Sequence, residues 1–284
     1  MSGYAENPMY RASSADGTVI AYDKVGEGPA LVLIEGALND LSTTLPLAAQ
    51  LKNHFTVYSY DRRGRGASGD CLPYAVDREI EDLRAVIDEA GGSALVFGNC
   101  SGGVLALQGV AAGLEITGLA LFEPPYIVAG TRDRPDDYSS HLASLISADR
   151  KDDALEFFMR ADVVLPEEHI AMVRNSPMWP ALHELVPSLN YDAAVLGDSR
   201  MPAAEWLSSI TVPTLVVDGE NSNSWAKEAV RVLAEQLPNA RRQTLAGHDH
   251  VLAPEALAPA MIEFFAGVGS DSPASTMSGT SATR

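Results

Sequence analysis

The chain has 284 residues, 46% of them hydrophobic, with ordinary amounts of glycine and proline. It can therefore enclose a sizeable core, either as one large α/β domain with an insertion or as two small domains. A formal net charge of −18 and an isoelectric point near 4.6 argue against nucleic acid and anionic membranes as partners, because both recognise basic patches.

The first residues, Met1 to Asn7, lack the basic region and apolar run of a signal peptide. No apolar stretch is long enough to span a bilayer. Two cysteines, Cys71 and Cys100, make neither a disulfide framework nor a metal-binding spacing. A soluble protein of the reducing cytoplasm is expected.

The opening strands are predicted at Val19–Tyr22, Ala30–Ile34 and Phe55–Tyr60. From Asp77 to Ala90, Ile80, Leu83, Val86 and Ile87 recur on one face among charged residues, which predicts an amphipathic helix. A strand at Ala94–Phe97, a helix at Val104–Ala112 and a buried strand at Gly118–Phe122 follow. Strands alternating with helices imply a mostly parallel central sheet flanked by helices. Between Tyr126 and Ser208 strand patterns vanish, and Pro135, Pro166, Pro177, Pro180, Pro187 and Pro202 divide short helices such as Asp152–Arg160. The alternation resumes with the strand Pro213–Val217, the helix Ala226–Gln236, the strand Arg241–Leu245 and a helix from Glu255 to Phe265. Residues 1–127 and 209–268 thus read as an α/β core, 128–208 as a helical cap insertion, and the Ser/Thr/Gly-rich 269–284 as a disordered tail.

The run Gly98-Asn99-Cys100-Ser101-Gly102-Gly103 lies between a strand and a helix. That is the setting of a nucleophile elbow, G-x-S-x-G, with cysteine in the serine's place. A thiol at a helix N-terminus feels the helix dipole, which favours the thiolate. The alternative is a buried inert cysteine. Ser101 lies one place off the pattern, and its backbone N–H suits an oxyanion hole. Cys71 sits in a loop-like stretch with no evident base.

The segment Asp61-Arg62-Arg63-Gly64-Arg65-Gly66-Ala67-Ser68 is similar to the D-x-R-G-x-G-x-S turn that follows the fourth strand of α/β-hydrolases. With the elbow, the strand order and the cap, the chain resembles the α/β-hydrolase superfamily from about Thr18 to Ala266. The resemblance implies a nucleophile, an acid and a histidine. Leu245-Ala246-Gly247-His248-Asp249-His250 looks like the superfamily's L-x-G-x-x-H ending, which favours His250 over His248 as the base. The acid is commonly reached by G-x-x-D after the strand Thr214–Val217, but here the motif ends in Ser222. A second arrangement in the superfamily places the acid where Glu123 ends the strand before Pro124-Pro125; Glu220 and Asp218 are the alternatives. The second oxyanion donor would be the N–H of Ala37, in a loop that begins Glu35-Gly36 where many relatives have His-Gly.

Glu35 is read either as a bystander turned outward or as a group for proton transfer or substrate recognition. The turn arginines are expected to brace loops. Tyr126, Trp179 and other cap aromatics are mostly cap core, and a few would line an apolar pocket for a hydrophobic or mid-sized organic substrate. There is no phosphate loop, and Gly64-Arg65-Gly66 is too short for a dinucleotide fingerprint, so no cofactor or metal is called for.

The expected activity is cofactor-independent hydrolysis of an ester, thioester, lactone or related acyl bond through an acyl-enzyme on Cys100, with His250 and Glu123. A thioester intermediate shielded from water would instead suit acyl transfer or cyclisation. The missing aspartate at Ser222 leaves a third reading, a ligand-binding module with a degenerate triad. A cysteine standing for an original serine is a further alternative, distinguished by the activity of Cys100→Ser.

Overall fold

The apolar runs become strands buried on both faces. The computed structural model describes residues 9–268. Its strands are β1 (Tyr10–Ser13), β2 (Val19–Val25), β3 (Ala30–Ile34), β4 (Thr56–Tyr60), β5 (Ala94–Asn99), β6 (Ile116–Phe122), β7 (Thr214–Gly219) and β8 (Ala240–Leu245). They form one sheet in the order β1-β2-β4-β3-β5-β6-β7-β8. The two pairings made by β2 are antiparallel, and every pairing from β4 onward is parallel.

Helices α1 (Leu45–Leu51), α2 (Val76–Glu89) and α3 (Ser101–Ala111) connect β3 through β6. Six helices fill the stretch between β6 and β7: α4 (Tyr138–Ser147), α5 (Lys151–Ala161), α6 (Glu167–Arg174), α7 (Trp179–Leu185), α8 (Leu189–Leu196) and α9 (Ala204–Ser208). α10 (Ser224–Gln236) precedes β8, and α11 (Pro254–Val268) follows it.

Successive strand residues alternate between faces, and both faces are covered. Val32, Ile34, Val96 and Leu119 pack with Leu83 of α2, Leu105 of α3 and Val230 of α10. Leu31, Leu33, Phe97 and Phe122 pack with Leu47 of α1 and with Met261 and Phe265 of α11. That two-sided burial is why the strands read as continuous apolar runs.

Prolines set helix starts in the insertion. Pro166 caps α6, and Pro180 lies in the first turn of α7, where a missing N–H costs nothing. The insertion has its own core, including Leu142, Leu155, Phe158 and Leu189, against which Ala37 and Leu38 pack. It therefore rests on the loop after β3. No helix among the described residues is long and apolar enough to cross a membrane. The expected tail, 269–284, lies outside the described residues.

A buried ionic cluster joins the insertion to the sheet. Asp192 of α8 accepts from Arg62 Nη1 at 2.8 Å and, with both oxygens, from Arg65 Nη2 at 2.8 Å. Ser101 Oγ donates to the same carboxylate at 2.7 Å. Arg62 also forks onto Glu79 of α2 at 2.6 and 2.7 Å, while Arg63 forks onto Asp82 at 2.7 and 2.8 Å. Burial alone would lift the Asp192 carboxyl, but the charges of Arg65 and Arg62 hold it below its ordinary value.

Removing one member of such a cluster strands the others in a low-dielectric interior. Asp192→Ala is expected to cost roughly 3–5 kcal/mol in urea unfolding. Glu263→Ala, which removes an exposed partner of Arg241, is expected to cost less than about 1 kcal/mol. Equal effects of the two substitutions would contradict this reading of the cluster.

Candidate active site

Cys100 sits between β5 and α3 with φ 53° and ψ −121°, a strained conformation for a residue with a side chain. Its N–H is held by Phe122 C=O at 2.9 Å. The turn is sharp because its neighbours have no side chains. A Cβ on Gly102 would lie 2.6 Å from the carbonyl oxygens of Glu35 and Ile34, and one on Gly36 would lie 2.8 Å from Cys100 Cβ. The loop after β3 thereby runs directly against the cysteine, and it carries Ala37 beside it. Arg65 Nη1 donates to Gly36 C=O at 2.6 Å and fixes that loop from below.

α3 begins at Ser101, three residues earlier than the sequence pattern suggests, so Cys100 occupies its N-cap position. There the unpaired N–H groups of the first turn favour negative charge. Ser101 is fully buried, and its hydroxyl turns inward to Asp192 and Arg62.

Glu123 follows β6 with φ 45°. Its carboxylate is buried; Oε1 accepts from Gly219 N–H at 2.8 Å, and Oε2 lies 2.6 Å from His250 Nδ1. The imidazole stacks on Phe122, with ring centroids 6.2 Å apart. Loss of solvent on its inner side would lower the His250 pKa. The neighbouring sulfur of Cys100, and the hydrogen bond and negative charge of Glu123, outweigh that and push it up to about 10. Burial in turn would raise the Glu123 carboxyl, but the His250 hydrogen bond and charge hold it below its ordinary range.

The other acids are engaged elsewhere. Asp218 accepts from Thr244 Oγ1 at 2.7 Å and Arg242 Nη2 at 2.5 Å, and Glu220 accepts from Gly247 N–H at 2.8 Å. Ser222 is buried within the electrostatic reach of Glu123, although its hydroxyl makes no hydrogen bond of standard geometry. His248 lies in the turn, where its carbonyl accepts from Asn221 N–H at 2.8 Å.

Two expected substrate-binding aromatics sit in packed cores. Tyr126 is 3% exposed within the sheet core, and Trp179 is 8% exposed in the insertion core with Nε1 donating to Asp152 at 2.8 Å. Glu35 is fully buried as well, not turned outward; its Oε1 accepts from Arg62 N–H at 3.2 Å, while Oε2 has no hydrogen bond. One residue not singled out by the sequence comes near the cysteine. Asp192 reaches its neighbour Ser101 from 91 positions away. It belongs to no motif, so only its charge in an otherwise mostly apolar helix could have marked it. Among the described residues no group of three or more His, Cys, Asp or Glu side chains is arranged to hold a metal ion.

The model of the alpha/beta hydrolase family matches residues 36–260, and the chain belongs to that family. A solved structure of an alpha/beta hydrolase from Sphaerobacter thermophilus is 47% identical, covers 90% of this chain and 100% of its own, and superposes with a TM-score of 0.87. Pimeloyl-[acyl-carrier protein] methyl ester esterase of Xanthomonas oryzae pv. oryzae is 27% identical over 239 residues, 80% of this chain and 90% of that protein. The esterase RhEst1 from Rhodococcus sp. ECU1013, at 20% identity and a TM-score of 0.65 over 92% of this chain and 99% of its own, shares the fold.

Burial lifts the Glu35 carboxyl from 4.5 to about 8, against the lowering charges of Arg65 and Arg62. The folded chain thus keeps a proton that the unfolded chain has already released. The contribution of this group to stability falls as pH climbs from about 4.5 to about 8 and is level above. Glu35→Gln mimics the protonated form and removes that fall. The melting temperature of the variant, relative to the parent, is expected to rise between about pH 5 and pH 8. A constant difference across that window would contradict the burial of a protonated Glu35.

Proposed function

We propose that the chain is a hydrolase of ester or thioester bonds that works through an acyl thioester on Cys100. The observation that carries this reading is the 2.6 Å contact between Glu123 and His250, combined with a cysteine held at a helix start in a strained turn. The family's esterase relatives support the class of bond.

In this reading Cys100 attacks as thiolate, with its proton on His250. The substrate carbonyl becomes a tetrahedral oxyanion facing the N–H groups of Ala37 and Ser101. Collapse expels the alcohol or thiol, which takes the proton from His250, and leaves Cys100 acylated. Water then attacks the thioester with His250 as base, which releases the acid and restores the thiol. Glu123 fixes the Nδ1–H tautomer and stabilises the imidazolium throughout. The absence of aspartate at Ser222 does not deprive His250 of an acid, because Glu123 reaches the same Nδ1 from the neighbouring strand.

Incubation with a slow p-nitrophenyl ester, followed by intact-mass and peptide mapping, should find one acyl group on Cys100 and none on Cys71. Cys100→Ala should abolish both adduct and turnover, by about 10⁴-fold or more. Turnover that survives Cys100→Ala would overturn the thiol mechanism, and a large gain in Cys100→Ser would assign the site to a serine enzyme.

A further inference from the structure

Arg132 and Arg134 lie in the segment that leads from β6 into α4, and their side chains are each only 5% exposed. Among the described residues a single carboxylate pairs with them, Asp162, whose Oδ1 is 3.7 Å from Arg132 Nη2 and 3.2 Å from Arg134 Nε. None of these approaches has hydrogen-bond geometry, and Asp162 Oδ1 is itself without a hydrogen bond. The Nη1 groups are used: Arg132 Nη1 donates to Asp162 C=O at 2.7 Å, and Arg134 Nη1 donates to Ser199 Oγ and to Gly197 C=O, the latter at 3.2 Å. On both arginines the Nε and Nη2 atoms are left without hydrogen bonds. That edge is the fork that grips a carboxylate with two parallel N–H bonds.

The two guanidinium planes are held rigidly. Arg132 stacks on Trp225, with Cζ 4.0 Å from the ring centroid, and Arg134 on Tyr138 at 3.7 Å. Both line a cavity of about 570 Å³ whose wall also includes Ile127, Met201 and Tyr138. Asp133, Asp136, Asp198 and Arg200 of that wall are solvent-exposed, so the buried end is the cationic one. The cavity lining does not include Cys100 or His250, but its wall continues the strand end that carries Glu123, since Ile127 lies four residues further along the chain. Two buried cations facing one buried anion are under-compensated, and a second anion would relieve the imbalance.

We propose that Arg132 and Arg134 form a subsite for a carboxylate carried by the substrate, so that the ester or thioester cleaved at Cys100 belongs to an anionic molecule. This deepens the hydrolase reading and rests on it. A net charge of −18 repels anions at long range, so selectivity for one must come from local cations.

The test compares mono-p-nitrophenyl glutarate with p-nitrophenyl pentanoate, which differ chiefly in the terminal carboxylate. The parent protein should favour the anionic ester in kcat/KM by about 10-fold or more, the scale of a charged hydrogen bond. The ratio should collapse towards unity in Arg132→Gln and Arg134→Gln and be partly kept in Arg132→Lys. A parent ratio of unity or below would overturn the subsite.

Thermal melting of the unsubstituted protein supplies a readout that needs neither turnover nor a variant. Glutarate should raise the melting temperature and glutaramide should not. Equal shifts, no shift, or an equal effect of sulfate at matched ionic strength would overturn a carboxylate site. Stabilisation by glutarate alone with neither ester hydrolysed would support the subsite and sink the hydrolase reading instead.

Discussion

The arrangement depends on one buried carboxylate. Asp192 comes from the helical insertion, yet its partners are Arg62 and Arg65 of the turn after β4 and Ser101 of the first turn of α3. Arg65 in turn holds the carbonyl of Gly36 in the loop packed against Cys100. A single charge cluster thus ties together the elbow, the loop beside it and the insertion above it. Separating any of the three would leave paired ions uncompensated in the interior, which is far more costly than losing a surface ion pair.

A second constraint is where the acid can come from. β6 lies between β5, which leads into the elbow, and β7. A carboxylate at the end of β6 therefore starts beside Cys100 and needs only to reach across β7 to the loop of His250. Glu123 does so with an unfavourable positive φ, and the backbone N–H of Gly219 anchors its second oxygen. The hydrogen bonds to a buried anion repay the conformational strain. Ser222, at the position where the resemblance expects the more common acid, is buried and its hydroxyl makes no hydrogen bond of standard geometry.

Much of the fold was legible because its strands are buried on both faces and its turns are made of glycine and proline. What escaped has a common cause. β1 is a four-residue edge strand with one inward residue, Ala12, too short to show a period. α1 has seven residues, and its apolar positions do not stand out. The start of α3 was hidden by Ser101, Gly102 and Gly103, poor helix formers that close packing places in the first turn.

At the site, Cys100, His250 and Glu123 and the pairing of the last two could be read from motif and position, but the contacts that hold them, such as Gly219 N–H on Glu123, could not. Glu35 was readable either as an outward loop residue or as a group for proton transfer or recognition, because a carboxylate is rarely buried. It is enclosed because the arginine turn folds over it. Asp192 carries only a faint local signal, a charge in a mostly apolar helix, since its importance comes from contacts across the chain.

The proposed relay needs Glu123 to hold His250 in its charged form. Nuclear magnetic resonance titration of the His250 ring, in the parent protein and in Glu123→Gln, tests that relay most directly. The ring should titrate well above 6.5 in the parent, towards about 10, and at clearly lower pH once the Glu123 charge is gone. An ordinary histidine titration in the parent, or the same titration in both proteins, would contradict a relay through Glu123.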